Sequence, residues 1–382
     1  MPDNYIFTEI ERRKRASNRQ DLINLGIGDA TLPLTKTVLS AYVNAALEMG
    51  NKKTFKGYPP ETGYDFLKRA VQKDFLNLGV NLDLNEIFVN DGAKLDIFNI
   101  LSLFNDVTAL VHDPEYPAYV DTNVIFGNRV SFIKSNPSNG FLPTPRHIED
   151  GVYGKSALIY ICSPDNPSGA VYGWEGLKNW VTYAKNSDSL IIFDSAYADY
   201  IGGDYPKSIF QIDGAETVAV EIRSLSKSAN FTGVRCGFTV VKNGFSIGGV
   251  NFNERFKRLK SSASNGVSYA SQRAGEAALS ELGKTEKTET VNYYLRNARA
   301  IKEFFVKKSV YAVGGENSPY VFFKCPGGVK SFDYFDYLLN EVGVVTVPGV
   351  GFGSGGEGYV RLSGFSSYEN TIAALSRLDS II

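Results

Sequence analysis

The stretch SLSKSANFTGVRCGF, residues 224–238, sets Lys227 among serines and follows it eight residues later with Arg235. Ser224, Ser226 and Arg235 can bind a phosphate through charge-assisted hydrogen bonds. The nearby cation and partial burial would favour the neutral amine that imine chemistry requires of Lys227. Four further stretches offer groups that complete such a site. SPDNPSG (163–169) presents Asn166, and DSAYADY (194–200) opens with Asp194 and carries Tyr197. NDGAKLD (90–96) opens a helix whose first amides, at Ala93 and Lys94, suit an anion, and DPEYPAY (113–119) offers Tyr116 as a flat face. Each also has a plain reading: a turn, a helix cap, a solvated lysine, a core tyrosine.

Position makes these groups a set. Apolar, β-branched runs at 86–90, 108–112, 157–162, 190–193, 217–222 and 237–241 read as strands, several covered on both faces. Helical patterns lie between them, such as 62–78, where Phe66, Leu67, Ala70, Val71, Phe75 and Leu78 share a face. Repeated strand, helix, strand predicts a mainly parallel α/β sheet, which binds ligands at the carboxyl ends of its strands. The chemical stretches follow those runs. After about residue 285 a long charged helix, YVFFK, VVTVP and YVRLS suggest a smaller α+β domain. The expected division is 41–284 as the large domain, and 1–40 with 285–382 as the small domain including an N-terminal arm.

An amine, a carboxylate, an amide and a phenol at strand ends match the needs of pyridoxal phosphate. Lys227 would form the Schiff base, and Asp194 would keep the pyridine nitrogen protonated. Asn166 and Tyr197 would hold the ring oxygen, with phosphate on Ser224, Ser226, Arg235 and the amides of Ala93 and Lys94. Other chemistries fit less well. GVYGKSA (151–157) lacks the first glycine of a P-loop and precedes a strand, and GFGSGG (351–356) leads into a strand instead of a dinucleotide-binding helix. A glycine-rich loop passing close to a ligand is the preferred reading of the latter. His112 and His147 are the only histidines and neither has a second ligand or a serine nucleophile beside it, so no metal is expected.

A net charge of −1 gives no electrostatic footprint for nucleic acid or membrane, and ERRKR (11–15) reads as a solvated helical face. Cys162, Cys236 and Cys325 form neither a disulfide framework nor a metal spacing. The N-terminus lacks the apolar core of a signal peptide. The expectation is a soluble, cytoplasmic protein.

With these residues in place, the chain resembles the fold-type I, pyridoxal-phosphate-dependent aminotransferases, and within them the diaminopimelate group. DNPSG and SxSK are shared widely among aminotransferases. NYIF in NYIFTEI (4–10), GDATLPL in LGIGDATLPL (25–34), DGAK in VNDGAKLD (89–96) and YPAYVDTN in DPEYPAYVDTNV (113–124) carry the narrower likeness, and KGYPPETG (56–63) adds to the match. FDSAYADYI (193–201) and PGVGFGSGGEGYVR (348–361) extend it nearly end to end. The resemblance implies a large domain with a mainly parallel seven-stranded sheet plus a small α+β domain. It implies that Arg361 binds the substrate α-carboxylate and that Gly28 approaches the substrate with its backbone. Lys94, Tyr116 and Asn166 would serve substrate as well as cofactor. Tyr58, Tyr5, Glu61 and Asn265 would reach into the neighbouring subunit of a homodimer, Tyr58 to phosphate and the others to the far end of the substrate. The implied reaction interconverts LL-2,6-diaminopimelate and 2-oxoglutarate with tetrahydrodipicolinate and glutamate, in lysine biosynthesis. A related aminotransferase of lysine or another diamino acid, a lyase on the same fold, and a non-catalytic binder are the alternatives. SPDNPSG in place of the more usual NNPTG, GYP in place of GYG, and Asn230 where glycine is common depart from the group's pattern.

Overall fold

Seven short runs pair into one mixed sheet in the computed structural model, which describes residues 6–149 and 156–382. The strands are β1 (Ile87–Asn90), β2 (Thr108–Asp113), β3 (Arg129–Lys134), β4 (Leu158–Cys162), β5 (Leu190–Asp194), β6 (Ala219–Ser224) and β7 (Gly237–Val241). Their order is β1-β7-β6-β5-β4-β2-β3, with β7 antiparallel to both neighbours and every other pair parallel. The six expected strands all form. The seventh, β3, was not expected, because RVSFIK lies at the sheet edge, leaves most of its side chains partly or fully open and so never builds a continuous apolar run.

Parallel neighbours need crossovers, and the helices supply them. The helix α1 (Asp65–Leu76) precedes β1, and α2 (Ala93–Leu101), α3 (Pro117–Ile125) and α4 (Trp174–Asn186) link successive strands. Alternate residues of β4 enter opposite cores. Leu158, Tyr160 and Cys162 pack with Ile97 and Tyr119, while Ile159 and Ile161 pack with Leu177 and Trp180. Every residue of β4, β5 and β6 is buried, which is why these strands read as unbroken apolar runs. Cys162 lies opposite Asp194, and Asp194 opposite Ile222, so the loops that follow begin side by side.

A second, antiparallel sheet has the order β8-β9-β11-β10, from β8 (Ala312–Gly314), β9 (Tyr320–Lys324), β10 (Val347–Pro348) and β11 (Tyr359–Ser363). The long helix α5 (Glu281–Lys307) covers it, its start fixed by Ser280, whose hydroxyl accepts the Gly283 N–H at 3.1 Å. That start lies earlier than the charged pattern after about residue 285 suggested. Phe305 stacks on Phe323 with ring centroids 4.0 Å apart. Ile23–Asn24 pairs in parallel with Val344–Val345, joining an N-terminal segment to the C-terminal part of the chain. The ERRKR run lies on the helix Ile6–Ala16, but it is not uniformly solvated: Arg13 pairs with Glu9 and Asp336 and lies 4.4 Å from the Phe332 ring.

The glycine-rich segment 351–356 packs closely on the end of β2. Gly355 N–H and the Ser354 hydroxyl donate to the two Asp113 carboxylate oxygens at 2.8 and 2.6 Å. All three cysteines are free and buried. Among the described residues no helix is long and apolar enough to cross a membrane.

Replacing Phe305 by alanine should cost about 3–5 kcal/mol, because the stacked ring is fully enclosed and the site cannot collapse around the void. Urea unfolding measures this, and a loss below about 1 kcal/mol would contradict the packing.

Candidate active site

The level carboxyl ends of β4, β5 and β6 open into a cavity of about 510 Å³. Its lining includes Lys227, Asp194, Asn166, Tyr197, Ser224, Ser226 and Arg235, together with Ala93, Lys94, Tyr116, Gly28 and Arg361. The structure thus brings together twelve of the sixteen residues singled out from the sequence. Tyr58, Glu61 and Asn265 are exposed and do not line it. They neighbour one another in the fold, since the Gly266 backbone packs on Pro59 and Pro60. Tyr5 lies outside the described residues.

Lys227 follows β6. Its ammonium nitrogen donates to the Gly28 carbonyl, and the Tyr200 hydroxyl fixes its backbone by donating to the Lys227 carbonyl at 2.8 Å. Part of the side chain remains open to the cavity, yet protein encloses the amine. That burial brings its pKa down to about 8; Asp29 opposes the shift, while Arg361, Arg235 and Lys94 add to it. Asp194 ends β5 as a buried acid. It accepts from the Tyr119 hydroxyl at 2.8 Å and from the Ala196 N–H at 3.0 Å, and burial raises its pKa against both bonds.

The next group gathers around Arg235. Arg235 Nη1 donates to Ser226 Oγ at 3.2 Å, and the Ser226 N–H donates to Ser224 Oγ at 3.1 Å. A Cβ added to Gly92 would stand 2.1 Å from Arg235 Nη2, so only glycine lets the guanidinium lie against the first turn of α2. Asn90 Oδ1 holds that turn through the Gly92 N–H at 2.9 Å. Beneath it, Asp96 accepts from Asn90, Thr239 and the buried Lys260 at 2.8, 2.6 and 3.1 Å.

On the opposite wall Arg361 is 1% exposed. Its Nη1 donates to Asn166 Oδ1 at 2.8 Å and its Nη2 to the Gly26 carbonyl at 3.1 Å, and its guanidinium lies 4.2 Å from the Tyr320 ring centroid. Nε has no partner, and no acid pairs with Arg361 among the described residues. A buried cation surrounded by neutral partners is a receptor for an anion.

A family model described as aminotransferase class I and II matches residues 20–377. The chain belongs to this family. Relatives from Agathobacter rectalis and Methanosphaera stadtmanae, both named LL-diaminopimelate aminotransferase, are 41% and 42% identical to it. Each alignment covers 100% of this chain, and 98% and 97% of those proteins. The solved structure of L,L-diaminopimelate aminotransferase from Chlamydomonas reinhardtii superposes with a TM-score of 0.93 at 35% identity, over 100% of this chain and 96% of that one.

As an aminotransferase the chain has cavity residues that the sequence reading did not single out. Tyr119 was quoted within DPEYPAY but given no role; it stands three residues beyond Tyr116, one helical turn away, and holds Asp194. Tyr320 hydrogen-bonds Tyr197 through their hydroxyls at 2.8 Å and carries the Arg361 guanidinium. Its signal lay in strand pairing: Phe322 opposes Arg361, which puts Tyr320 diagonally across the same face. Asp29, Thr232 and Phe7 also line the cavity.

Aldehyde capture by Lys227 should titrate near 8 and not at the 10.5 of an ordinary lysine. Burial penalises the cation, so the reactive neutral amine prevails above that pH and falls about tenfold per pH unit below it. The rate of imine formation with pyridoxal across pH measures this; a midpoint near 10.5 would show that the amine is not enclosed.

Proposed function

We propose that the chain is an LL-diaminopimelate aminotransferase working with pyridoxal phosphate. The observation that carries the reading is the buried Arg361 guanidinium, with no acid of its own, across one cavity from a lysine whose cation burial disfavours. The first is suited to an α-carboxylate and the second to an α-amino group. The substrate comes from relatives of 41% and 42% identity that bear this name.

The cavity residues fit the cofactor. The Gly92 turn, Arg235, Ser224, Ser226 and the amides of Ala93 and Lys94 would take its phosphate. Asp194, a buried acid that pairs with no cation among the described residues, would hold a proton at the pyridine nitrogen, and that charge would favour its ionised form. Asn166 and Tyr197 would hold the ring oxygen, and Tyr116 would cover the ring face. Pyridoxal phosphate, when bound, supplies an electron sink beside the substrate α-carbon. Lys227 Nζ would remove the α-proton and return a proton, alternately base and acid. Arg361 would fix the α-carboxylate with its planar fork, close to the Gly28 backbone, so that the α-carbon faces Lys227.

Recognition of the far end needs donors and acceptors, because diaminopimelate carries an amine and a carboxylate there. Lys94 would contribute from this chain. Tyr5, Glu61 and Asn265 would contribute from a second copy, with Tyr58 touching phosphate, which makes a two-fold homodimer the working unit. The exposed cluster of Tyr58, Glu61 and Asn265 supports that arrangement. A large domain of 41–284 and a small one of 1–40 with 285–382 accord with the two separate sheets. The setting is a cytoplasmic enzyme of diaminopimelate and lysine biosynthesis.

Lys227→Ala should lower turnover by about 10⁴-fold or more while the pocket still binds pyridoxal phosphate non-covalently; near-native turnover would remove Lys227 from the mechanism. Adding LL-diaminopimelate, the meso isomer, lysine and glutamate separately to the loaded protein tests the substrate by absorbance. Conversion to the amine form of the cofactor by LL-diaminopimelate and glutamate, and only weakly by lysine, is the expected outcome. Preferential conversion by lysine would keep the transaminase and discard the substrate.

A further inference from the structure

Two loops that border the cavity, 113–116 and 163–169, meet through carboxyl groups that the reaction does not use. Glu115 is 1% and Asp165 4% exposed. Glu115 Oε1 accepts the Tyr116 N–H at 3.0 Å, and Asp165 Oδ2 accepts the Ser168 N–H at 2.8 Å and the Ser168 hydroxyl. The other two oxygens, Glu115 Oε2 and Asp165 Oδ1, are buried with no donor when both acids are ionised. The two side chains lie within hydrogen-bonding reach of each other.

No lysine or arginine pairs with either acid among the described residues; the nearest base is His112, whose Nδ1 lies 3.5 Å from Glu115 Oε2. Burial lowers the His112 pKa to about 3, so it offers no counter-charge. Among the described residues, the other titratable groups that act on the pair include Asp194 on β5, Tyr119 on α3, Cys162 on β4 and Tyr172 in the segment leading to α4. All are neutral or acidic. Two enclosed carboxylates with such surroundings cannot both ionise, whereas one proton between them satisfies both orphaned oxygens.

We propose that Glu115 and Asp165 share a single proton and act as a positioning pair, locking the loop that carries Tyr116 to the loop that carries Asn166. Asn166 accepts from Arg361 at 2.8 Å, so the lock sets the carboxylate-binding wall and the ring-covering tyrosine together. Burial and the facing acid hold Glu115 well above the carboxylate range, and burial lifts Asp165 to about 6. The folded chain therefore keeps a proton that the unfolded chain releases. The pair's contribution to stability falls as pH rises from the ordinary carboxyl range through its own titration.

Infrared spectra of the full chain, with and without pyridoxal phosphate, test the proposal in wild type, Glu115→Gln and Asp165→Asn. Each amide replaces the shared proton with an N–H donor and leaves its partner ionised. The expected result is a protonated-carboxyl C=O band at neutral pH that disappears in either variant. A band absent from wild type, or persisting in both variants, would overturn it. Either variant suffices should circular dichroism show that the other is unfolded. A second arm rests on the aminotransferase reading: the ratio of wild-type to Asp165→Asn cofactor affinity, which cancels the Lys227 titration common to both, should fall about tenfold per pH unit above the pair's titration. Parallel profiles would refute the lock. The cofactor-free spectrum needs no catalysis, so its failure is distinct from failure of the proposed activity.

Discussion

A guanidinium enclosed without an acid is the constraint around which this molecule is arranged. Arg361 comes from the small sheet, its acceptors Asn166 and Gly26 come from a loop of the large sheet and from the N-terminal segment, and its ring partner Tyr320 comes from the neighbouring strand. Leaving such a cation unpaired in the interior costs several kcal/mol unless polar contacts offset it. Two hydrogen bonds and an aromatic face offset part of that cost, and Nε remains unsatisfied. Because Arg361 also lines the cavity, an anion entering there would meet this uncompensated charge.

Lys227 presents the complementary case. Its surroundings oppose its charge, through enclosure and through three cations, and Asp29 alone among the principal influences favours it. One wall of the cavity therefore holds a fixed positive charge while the floor disfavours one, an asymmetry that suits the carboxylate and the amino group of an amino acid. Parallel strands make this economical. With β4, β5 and β6 ending side by side, the end of β5 and the loops after β4 and β6 deliver Asp194, Asn166 and Lys227 to one volume without any long excursion of the chain.

Much of this was legible in the residues. The fully buried strands announced themselves as apolar runs, and the reactive groups stood directly after them. What escaped was set by pairing across the chain. Strand β3 is an edge strand and lacks the apolar run, so its sequence resembles a loop. Tyr320 matters because Phe322 pairs with Arg361, a fact absent from either segment alone. Tyr119 read as one more aromatic in a helix until Asp194 was placed against it. The departures from the aminotransferase pattern also acquire reasons. Asn230 takes φ +59°, a conformation asparagine tolerates better than most residues, and its amide donates to the Pro33 carbonyl at 3.1 Å. Asp165, in place of a more usual asparagine, faces Glu115. Tyr58 and its exposed neighbours do not line this chain's own cavity.

The buried cysteines have a practical consequence. Cys236 and Cys325 have pKa values pushed up to about 12, and burial and nearby acids raise Cys162 further from ionisation. Thiolate, not thiol, is the reactive species. The chain therefore has a chemically silent background for labelling. A cysteine introduced on the outer face of α5 would be its reactive thiol, and a fluorophore or spin probe placed there could report the distance to a second one on the large sheet. The relative movement of the two sheets during turnover would become directly readable, with no native cysteine removed first.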